Sequence, residues 1–268
     1  MQAIDLNSDI GESFGVYTIG QDAAVLAHIS SANIACGWHA GDPLVMDRTV
    51  RRAAADGVGI GAHPGYPDLM GFGRRRMNCS LAEIRAYLIY QVGALQGFCA
   101  AHNVRLQHVK PHGALYNHAA GDDETVRTIA EAIAAVDPSL YYVALAGPRA
   151  AAIARICGRA GIRVVFEAFP DRAYTPEGRL APRGQPGAVI TDPVEAARRA
   201  VRMATAGEVV ATDGSVVPLH PQTLCVHGDT PTALALVRQI RHTLEQAGVA
   251  VKPMAPSAGE RATDADTP

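Results

Sequence analysis

Val104-Arg-Leu-Gln-His-Val-Lys-Pro-His-Gly-Ala-Leu-Tyr-Asn117 reads as a short strand running into a polar turn. Leu106 and Val109 are apolar. Pro111 lacks the amide hydrogen that a sheet ladder needs, so the strand should stop there. Lys110 and His112 are two residues apart, and on an extended backbone both side chains leave on one face. An ammonium and an imidazole at a strand end suit a binding or catalytic site; a Lys-Pro-His turn on an ordinary surface loop is the plain alternative.

The same unit recurs on both sides of this stretch. Residues 3–6 read as a strand, followed by a polar, glycine-punctuated loop that carries Asp9 and Glu12. Residues 32–36 form a second strand, followed by Gly37-Trp-His-Ala-Gly-Asp42, with His39 and with Asp42 as N-cap to a helix opened by Pro43. Residues 58–62 form a third, followed by His63-Pro-Gly-Tyr-Pro-Asp68. Ser80-Leu-Ala-Glu83 is a capping box that starts a long helix to about residue 103. Beyond the opening stretch, strands are expected at 141–145, 162–166 and 223–226. Helices should begin at Asp122 or Asp123, Arg149, Asp192 and Thr230. Residues 169–178 open a long Pro/Gly-rich loop with Asp171 and Arg172, and loops of that length are usually functional or disordered. Asp213-Gly214 between two apolar runs predicts a small β-hairpin insertion near the C-terminus. The last strand ends in His227-Gly-Asp229.

This β-α alternation predicts a parallel sheet covered by helices. Seven or eight strands in a chain of 268 residues fit a closed (β/α) barrel better than an open sheet. Residues 1–252 are expected to form one catalytic barrel domain, and the polar residues 253–268 a flexible tail. A net charge of -2 argues against nucleic acid or an anionic membrane as partner. No apolar run is long enough to span a bilayer. The N-terminus lacks a signal-peptide pattern, and five scattered cysteines without a C-x-x-C pair suit a reduced, cytoplasmic protein.

The placement of the polar residues is the informative pattern. Asp9 and Glu12, His39 and Asp42, His63 and Asp68, Lys110 and His112, Asp171 and Arg172, and His227 and Asp229 all follow expected strands, and none follows a helix. In a parallel barrel such loops converge on one mouth. Asp9, His39 and His63 could hold a divalent metal, although H-E-x-x-H is absent. A hydrogen-bonded cluster without metal is the alternative. Hydrolysis needs a base and an oxyanion donor, and Asp9 or Glu12 as base with Lys110 and His112 as donors meets that need. Serine catalysis lacks a G-x-S-x-G elbow, and Cys36 and Cys225 sit late in strands and suit packing. No P-loop and no G-x-G-x-x-G occur; Gly71-Phe-Gly-Arg-Arg-Arg76 could hold an anion or be a solvated basic turn.

At these loops the sequence resembles the LamB/YcsF family, the A subunits of 5-oxoprolinase. The stretches that carry the resemblance are Asp5-Leu-Asn-Ser-Asp-Ile-Gly-Glu-Ser-Phe-Gly15, Ser31-Ala-Asn-Ile-Ala-Cys-Gly-Trp-His-Ala-Gly-Asp-Pro43, Gly61-Ala-His-Pro-Gly-Tyr-Pro-Asp68 with Gly71-Phe-Gly-Arg-Arg75, Val109-Lys-Pro-His-Gly-Ala-Leu-Tyr-Asn117, Asp171-Arg-Ala-Tyr174 and Cys225-Val-His-Gly-Asp229. Two departures are visible: Ser8 stands where the pattern often has Cys, and Pro170 where Ala is usual.

The resemblance implies a distorted (β/α) barrel similar to the glycoside hydrolase/deacetylase superfamily. It implies ATP-dependent cleavage of 5-oxo-L-proline to L-glutamate together with partner subunits B and C, with ATP and Mg2+ that a partner could hold. The deacetylase relatives use an Asp-His-His metal site, which adds weight to Asp9, His39 and His63 as metal candidates. On this reading Asp9, Glu12, Lys110 and His112 are catalytic, and His39, His63, Asp171, Arg172, His227 and Asp229 bind substrate, with Arg172 on its carboxylate. A metal-dependent deacetylase or amidohydrolase acting alone, and a non-catalytic protein that only binds substrate for its partners, are the rival expectations.

Overall fold

The computed structural model describes residues 2–228 and 232–254. Asp229 and residues 255–268, which include most of the expected tail, lie outside the described residues. Seven parallel strands close into a barrel: β1 (Ala3–Ile10), β2 (Ser31–Ala35), β3 (Gly59–His63), β4 (Leu106–Val109), β5 (Tyr141–Leu145), β6 (Arg163–Ala168) and β9 (Thr223–His227). β9 closes the ring by pairing along β1 from Asp5–Thr223 to Asp9–His227. Its contact with β6 is short, at Glu167–Thr223 and Ala168–Leu224, as is that of β4 with β5, so the barrel is distorted. β7 (Glu208–Val210) and β8 (Val216–Pro218) form the expected antiparallel hairpin. A short β10 (Ala250–Val251) adds to the start of β1.

The crossover helices cover the outside. α1 (Asp22–Leu26) is short, and α2 (Pro43–Ala55) opens on the expected Asp42 cap, whose carboxylate accepts from the Leu44 and Val45 amides. α3 (Leu81–Ala101) starts on the full Ser80/Glu83 capping box. α4 (Gly113–Ala119), an unexpected two-turn helix, follows His112 directly. α5 (Asp123–Val136), α6 (Ala150–Arg159), α7 (Pro193–Thr205) and α8 (Ala233–Gln246) complete the ring. Outward strand residues such as Leu6, Ile34, Val109 and Leu224 pack with Val50, Leu95, Ile129 and Ile240 of the helices into one continuous core. The chain is still packed at Met254, which sits on Val143 and Val165, one residue past the expected start of the tail.

One difference from the sequence reading matters for the site. β1 continues through Asn7, Ser8 and Asp9 to Ile10, so Asp9 belongs to a strand and not to a loop. The polar residues can stay in the ladder because the barrel interior is itself polar. Alternate residues of β1 (Asp5, Asn7, Asp9) share the inner face with Ser31, Asn33, His108, Glu167 and Thr223. Asp5, at the floor, accepts from the hydroxyls of Ser30 (2.7 Å), Ser31 (2.6 Å) and Thr223 (2.5 Å). Above it, Asn7 Nδ2 donates to Thr223 Oγ1 at 2.6 Å and to Glu167 Oε1 at 2.8 Å. Asn33 Nδ2 donates to Asn7 Oδ1 at 2.6 Å and Asp9 Oδ1 at 2.8 Å, while His108 Nε2 donates to Asn33 Oδ1 at 2.7 Å. Each residue of the column is thus bonded to a neighbour, as burial of so many polar groups requires, although Glu167 Oε2 has no hydrogen-bond partner. Gly61 makes the room: a Cβ there would lie 1.9 Å from His108 Nε2.

Candidate active site

The column ends at the carboxyl edge of the barrel, where Lys110 stands. Its amide still donates to Ala62 O at 2.9 Å and that of His112 to Pro64 O at 2.8 Å, so the chain stays extended across Pro111. Both side chains accordingly reach the barrel axis, as their spacing predicts. Lys110 Nζ lies 2.8 Å from Asp9 Oδ1, 2.9 Å from Glu167 Oε1 and 3.0 Å from Cys225 Sγ. Burial opposes the ammonium, but Asp9, Cys225 and Glu167 outweigh it and hold the lysine well above its ordinary range. Its three hydrogens are thus occupied inside the protein. Burial likewise opposes the Asp9 carboxylate, yet His63 and Lys110 hold it well below the usual range, so it stays ionised.

Three imidazoles meet beside Asp9. His63 Nδ1 donates to the Lys110 carbonyl at 2.7 Å, and His112 Nε2 donates to the Phe72 carbonyl at 2.8 Å. A carbonyl oxygen only accepts, so these contacts fix which ring nitrogens carry hydrogen. The remaining nitrogens, His63 Nε2 and His112 Nδ1, face each other at 2.9 Å, with Asp9 Oδ2 3.3 Å from the former. His39 stacks on His112, and its Nε2 is 3.5 Å from Glu12 Oε1, which in turn lies 3.9 Å from His112 Nδ1. Burial and the neighbouring imidazoles push both His39 and His112 well below the ordinary range, so both are neutral. The facing nitrogens and the Asp9 oxygen need something electropositive between them, either a shared proton or a cation. Ligand atoms of Glu12, His39, His63 and His112 all lie within 4.8 Å of one another. This donor set fits a divalent metal, with His112 and Glu12 joining the His39 and His63 expected from sequence.

Side chains that no sequence motif singled out hold this cluster. Gln91, fully buried in α3, donates to Gly65 O and accepts from Gly65 N, both at 2.9 Å, which pins the turn after His63. Gly73, at φ +63, lets the next loop pass over the pair: a Cβ there would lie 2.7 Å from His112 Cδ2 and from His39 Cβ.

A cavity of about 470 Å³ opens above the cluster, lined among others by Asp9, His63, Lys110, His112, Tyr116, Phe169 and His227. His227 Nδ1 lies 2.7 Å from Asp171 Oδ2, and its ring stacks on Phe169. Burial would raise the Asp171 carboxyl, but His227 overcomes it and keeps it below the ordinary range. Nε2 of His227 is then the nitrogen left for a ligand. Burial and the nearby Glu167 push the Tyr116 hydroxyl well above its ordinary range, so it keeps its proton. Arg172 lines the cavity, but its Nε donates to Ala188 O (3.2 Å) and its Nη2 to Ala181 O (2.5 Å), which staples the long loop after β6. Of the basic turn, Arg75 pairs with Asp68, Arg76 meets His118, and Arg74 borders the cavity.

The model of the LamB/YcsF family matches residues 4–259. A protein of Syntrophobacter fumaroxidans, named as the A subunit of 5-oxoprolinase, is 52% identical over 250 residues, covering 93% of this chain and 98% of that one. The crystal structure of the lactam utilization protein from Thermus thermophilus superposes with a TM-score of 0.88 at 50% identity, covering 94% of this chain and all of that one. The catalytic domain of a peptidoglycan N-acetylglucosamine deacetylase from Eubacterium rectale shares the fold alone, with a TM-score of 0.51 at 10% identity, over 97% of this chain and 93% of that one.

Proposed function

Because the chain belongs to the LamB/YcsF family, we propose that it is the A subunit of an ATP-dependent 5-oxoprolinase, opening 5-oxo-L-proline to L-glutamate together with subunits B and C. The observation that carries this reading is one cavity shared by Asp9, Lys110, His112 and His227. Asp9 and His227 are register partners in the β1–β9 ladder, and Asp171 Oδ2 lies 2.7 Å from His227 Nδ1.

A lactam is a resonance-stabilised amide, so its opening needs an activated carbonyl, an attacking water and a proton for the leaving nitrogen. ATP supplies the activation by phosphorylating the carbonyl oxygen. A water beside Asp9 meets a carboxylate that is held ionised and able to take its proton. His227, oriented by Asp171, donates to the ring nitrogen as the C–N bond breaks, which leaves an acyl phosphate at the former carbonyl carbon; a second water then releases inorganic phosphate and L-glutamate. Lys110 keeps Asp9 ionised and bridges it to Glu167 rather than serving as an oxyanion donor, because its hydrogens are occupied. His112 likewise acts as acceptor, since its Nε2 hydrogen is held by Phe72. Glu12, His39, His63 and His112 would hold a divalent metal, with Asp9, the remaining candidate from sequence, outside that group; a metal there would polarise a carbonyl or water oxygen.

The test is ATP-dependent glutamate release from 5-oxoproline by the purified chain, alone and then with subunits B and C. Release only with ATP and both partners is the expected result, and no release from the full set would overturn the reading. The converging donor set favours a second reading, a metal-dependent amidohydrolase acting alone. Metal-dependent, ATP-independent amide cleavage by the chain alone would establish that instead.

A further inference from the structure

The charge on the cavity wall is lopsided. Among the described residues lining it, Asp9 is the single acid, and Lys110 and His63 already face it. Arg74, Arg172, Arg179 and Arg183 line the same space. Arg172 is nearly buried and held by two backbone carbonyls, and burial with the charge of Arg183 lowers its guanidinium to about 10. Like charges crowded around one opening repel unless something anionic sits among them. The space also exceeds what one five-membered lactam fills, and falls in the range of larger ligands.

We infer that Arg179 and Arg183, braced by Arg172 and flanked by Arg74, form a phosphoryl-binding site at the cavity mouth. The loop geometry supports such a built site. Beyond the two Arg172 bonds, Ala173 N donates to Ala188 O and Ala181 N to Ala173 O, and Arg199 Nη2 holds the Arg172 carbonyl. The segment that carries Arg179 and Arg183 is therefore tied down at both ends, which lowers the cost of ordering it around a ligand. Glu177, two residues before Arg179, is exposed and does not line the cavity. Guanidinium forks match phosphoryl oxygens bidentately. Lactam carboxylate and phosphoryl group together would bring negative charge to Arg179 and Arg183. This site rests on the proposed ATP-dependent reaction for its meaning, while its detection needs neither partners nor turnover.

The phosphoryl group can belong to the phosphorylated lactam or to the nucleotide. The test is calorimetric titration of the chain with inorganic phosphate, ATP and 5-oxoproline separately, at matched low ionic strength. Phosphate should bind once per chain. Arg179→Ser and Arg183→Gln should each weaken it about tenfold or more, while Arg85→Ser, on the exposed face of α3, leaves it unchanged. Competition of ATP with phosphate would make the nucleotide the source, and phosphate binding without ATP binding would make it the phosphorylated substrate. Absence of phosphate binding, or binding indifferent to both rim substitutions in variants of unchanged melting temperature, would overturn the inference. Neither result touches the glutamate-release assay, so the two failures can be told apart.

Discussion

The ring of His39 lies flat on that of His112, with centroids 3.7 Å apart and planes 5° from parallel. Two stacked imidazoles tolerate this contact when neutral, and their free nitrogens then act as lone-pair donors. Zinc or manganese added to chelator-treated protein should therefore raise its melting temperature. At a hundredfold excess over the dissociation constant the gain is about 2.7 kcal/mol, or on the order of 5 °C or more for a chain of this size. His63→Ala/His112→Ala should abolish the shift. Identical melts with and without metal would rule the site out.

Lys110 is the counter-charge for two buried carboxylates, so Lys110→Met should cost about 3–5 kcal/mol by leaving Asp9 and Glu167 unpaired. Adding Glu167→Gln should recover part of that loss. A double-mutant cycle in denaturant reads the coupling. Additive losses would mean that Lys110 does not bridge the two acids.

Asp171→Asn keeps the shape of the His227 partner but presents an amide hydrogen or a weaker acceptor to Nδ1. Glutamate release should fall about 100-fold or more in kcat, as for loss of a positioned proton donor, with little change in KM or melting temperature. A kcat within a few-fold of wild type would remove His227 from the role of acid.

Burial raises the Asp5 carboxyl to about 6 despite three hydroxyl donors. A folded-state value above the unfolded one means that the native protein binds this proton more tightly. The resulting stabilisation is full below the unfolded value near 3.8 and disappears as the pH rises through about 6. Unfolding free energy should thus drop by about 1 kcal/mol between pH 5 and pH 7.5 from this group. Asp5→Asn should flatten that part of the profile. An unchanged slope in the variant would show that the drop comes from elsewhere.

Gly61→Ala would drive a methyl into the His108 ring, in a strand packed on both faces. The cost should exceed the usual 1–3 kcal/mol of overpacking, because no flexible side-chain end can yield. His108→Ala alongside it should restore part of the melting temperature. Gly93→Ala, where a Cβ meets nothing within 4 Å, is the control.

The barrel and its mouth are legible from the register of polar residues after each strand. Asp9, His39, His63, Lys110 and His112 do come together, and His227, held by Asp171, lies beside Asp9. What eludes the sequence is the barrel floor. Asp5-x-Asn7-x-Asp9 and Ser31-x-Asn33 alternate as a half-solvated strand would, and barrel interiors are usually apolar. Reading a loop from Asn7 onward leaves β1 short by four residues, since nothing local says that Glu167, Thr223 and His108 arrive from distant strands to bond this column. The bonds of Arg172 are hidden for a related reason. Its fork suits a carboxylate, but only the folded loop reveals two carbonyls within reach.

The bonded column inside the barrel has an evolutionary corollary. In many enzymes an indifferent core carries a changeable site, and the two can drift apart. Here Asp9 and Lys110 belong at once to the innermost packing and to the cavity wall. Any substitution that retunes the chemistry at that depth also taxes foldedness. Variation in what the protein accepts is therefore channelled outward, to the braced loop between β6 and α7, where residues such as Arg179 and Arg183 can change without disturbing the column.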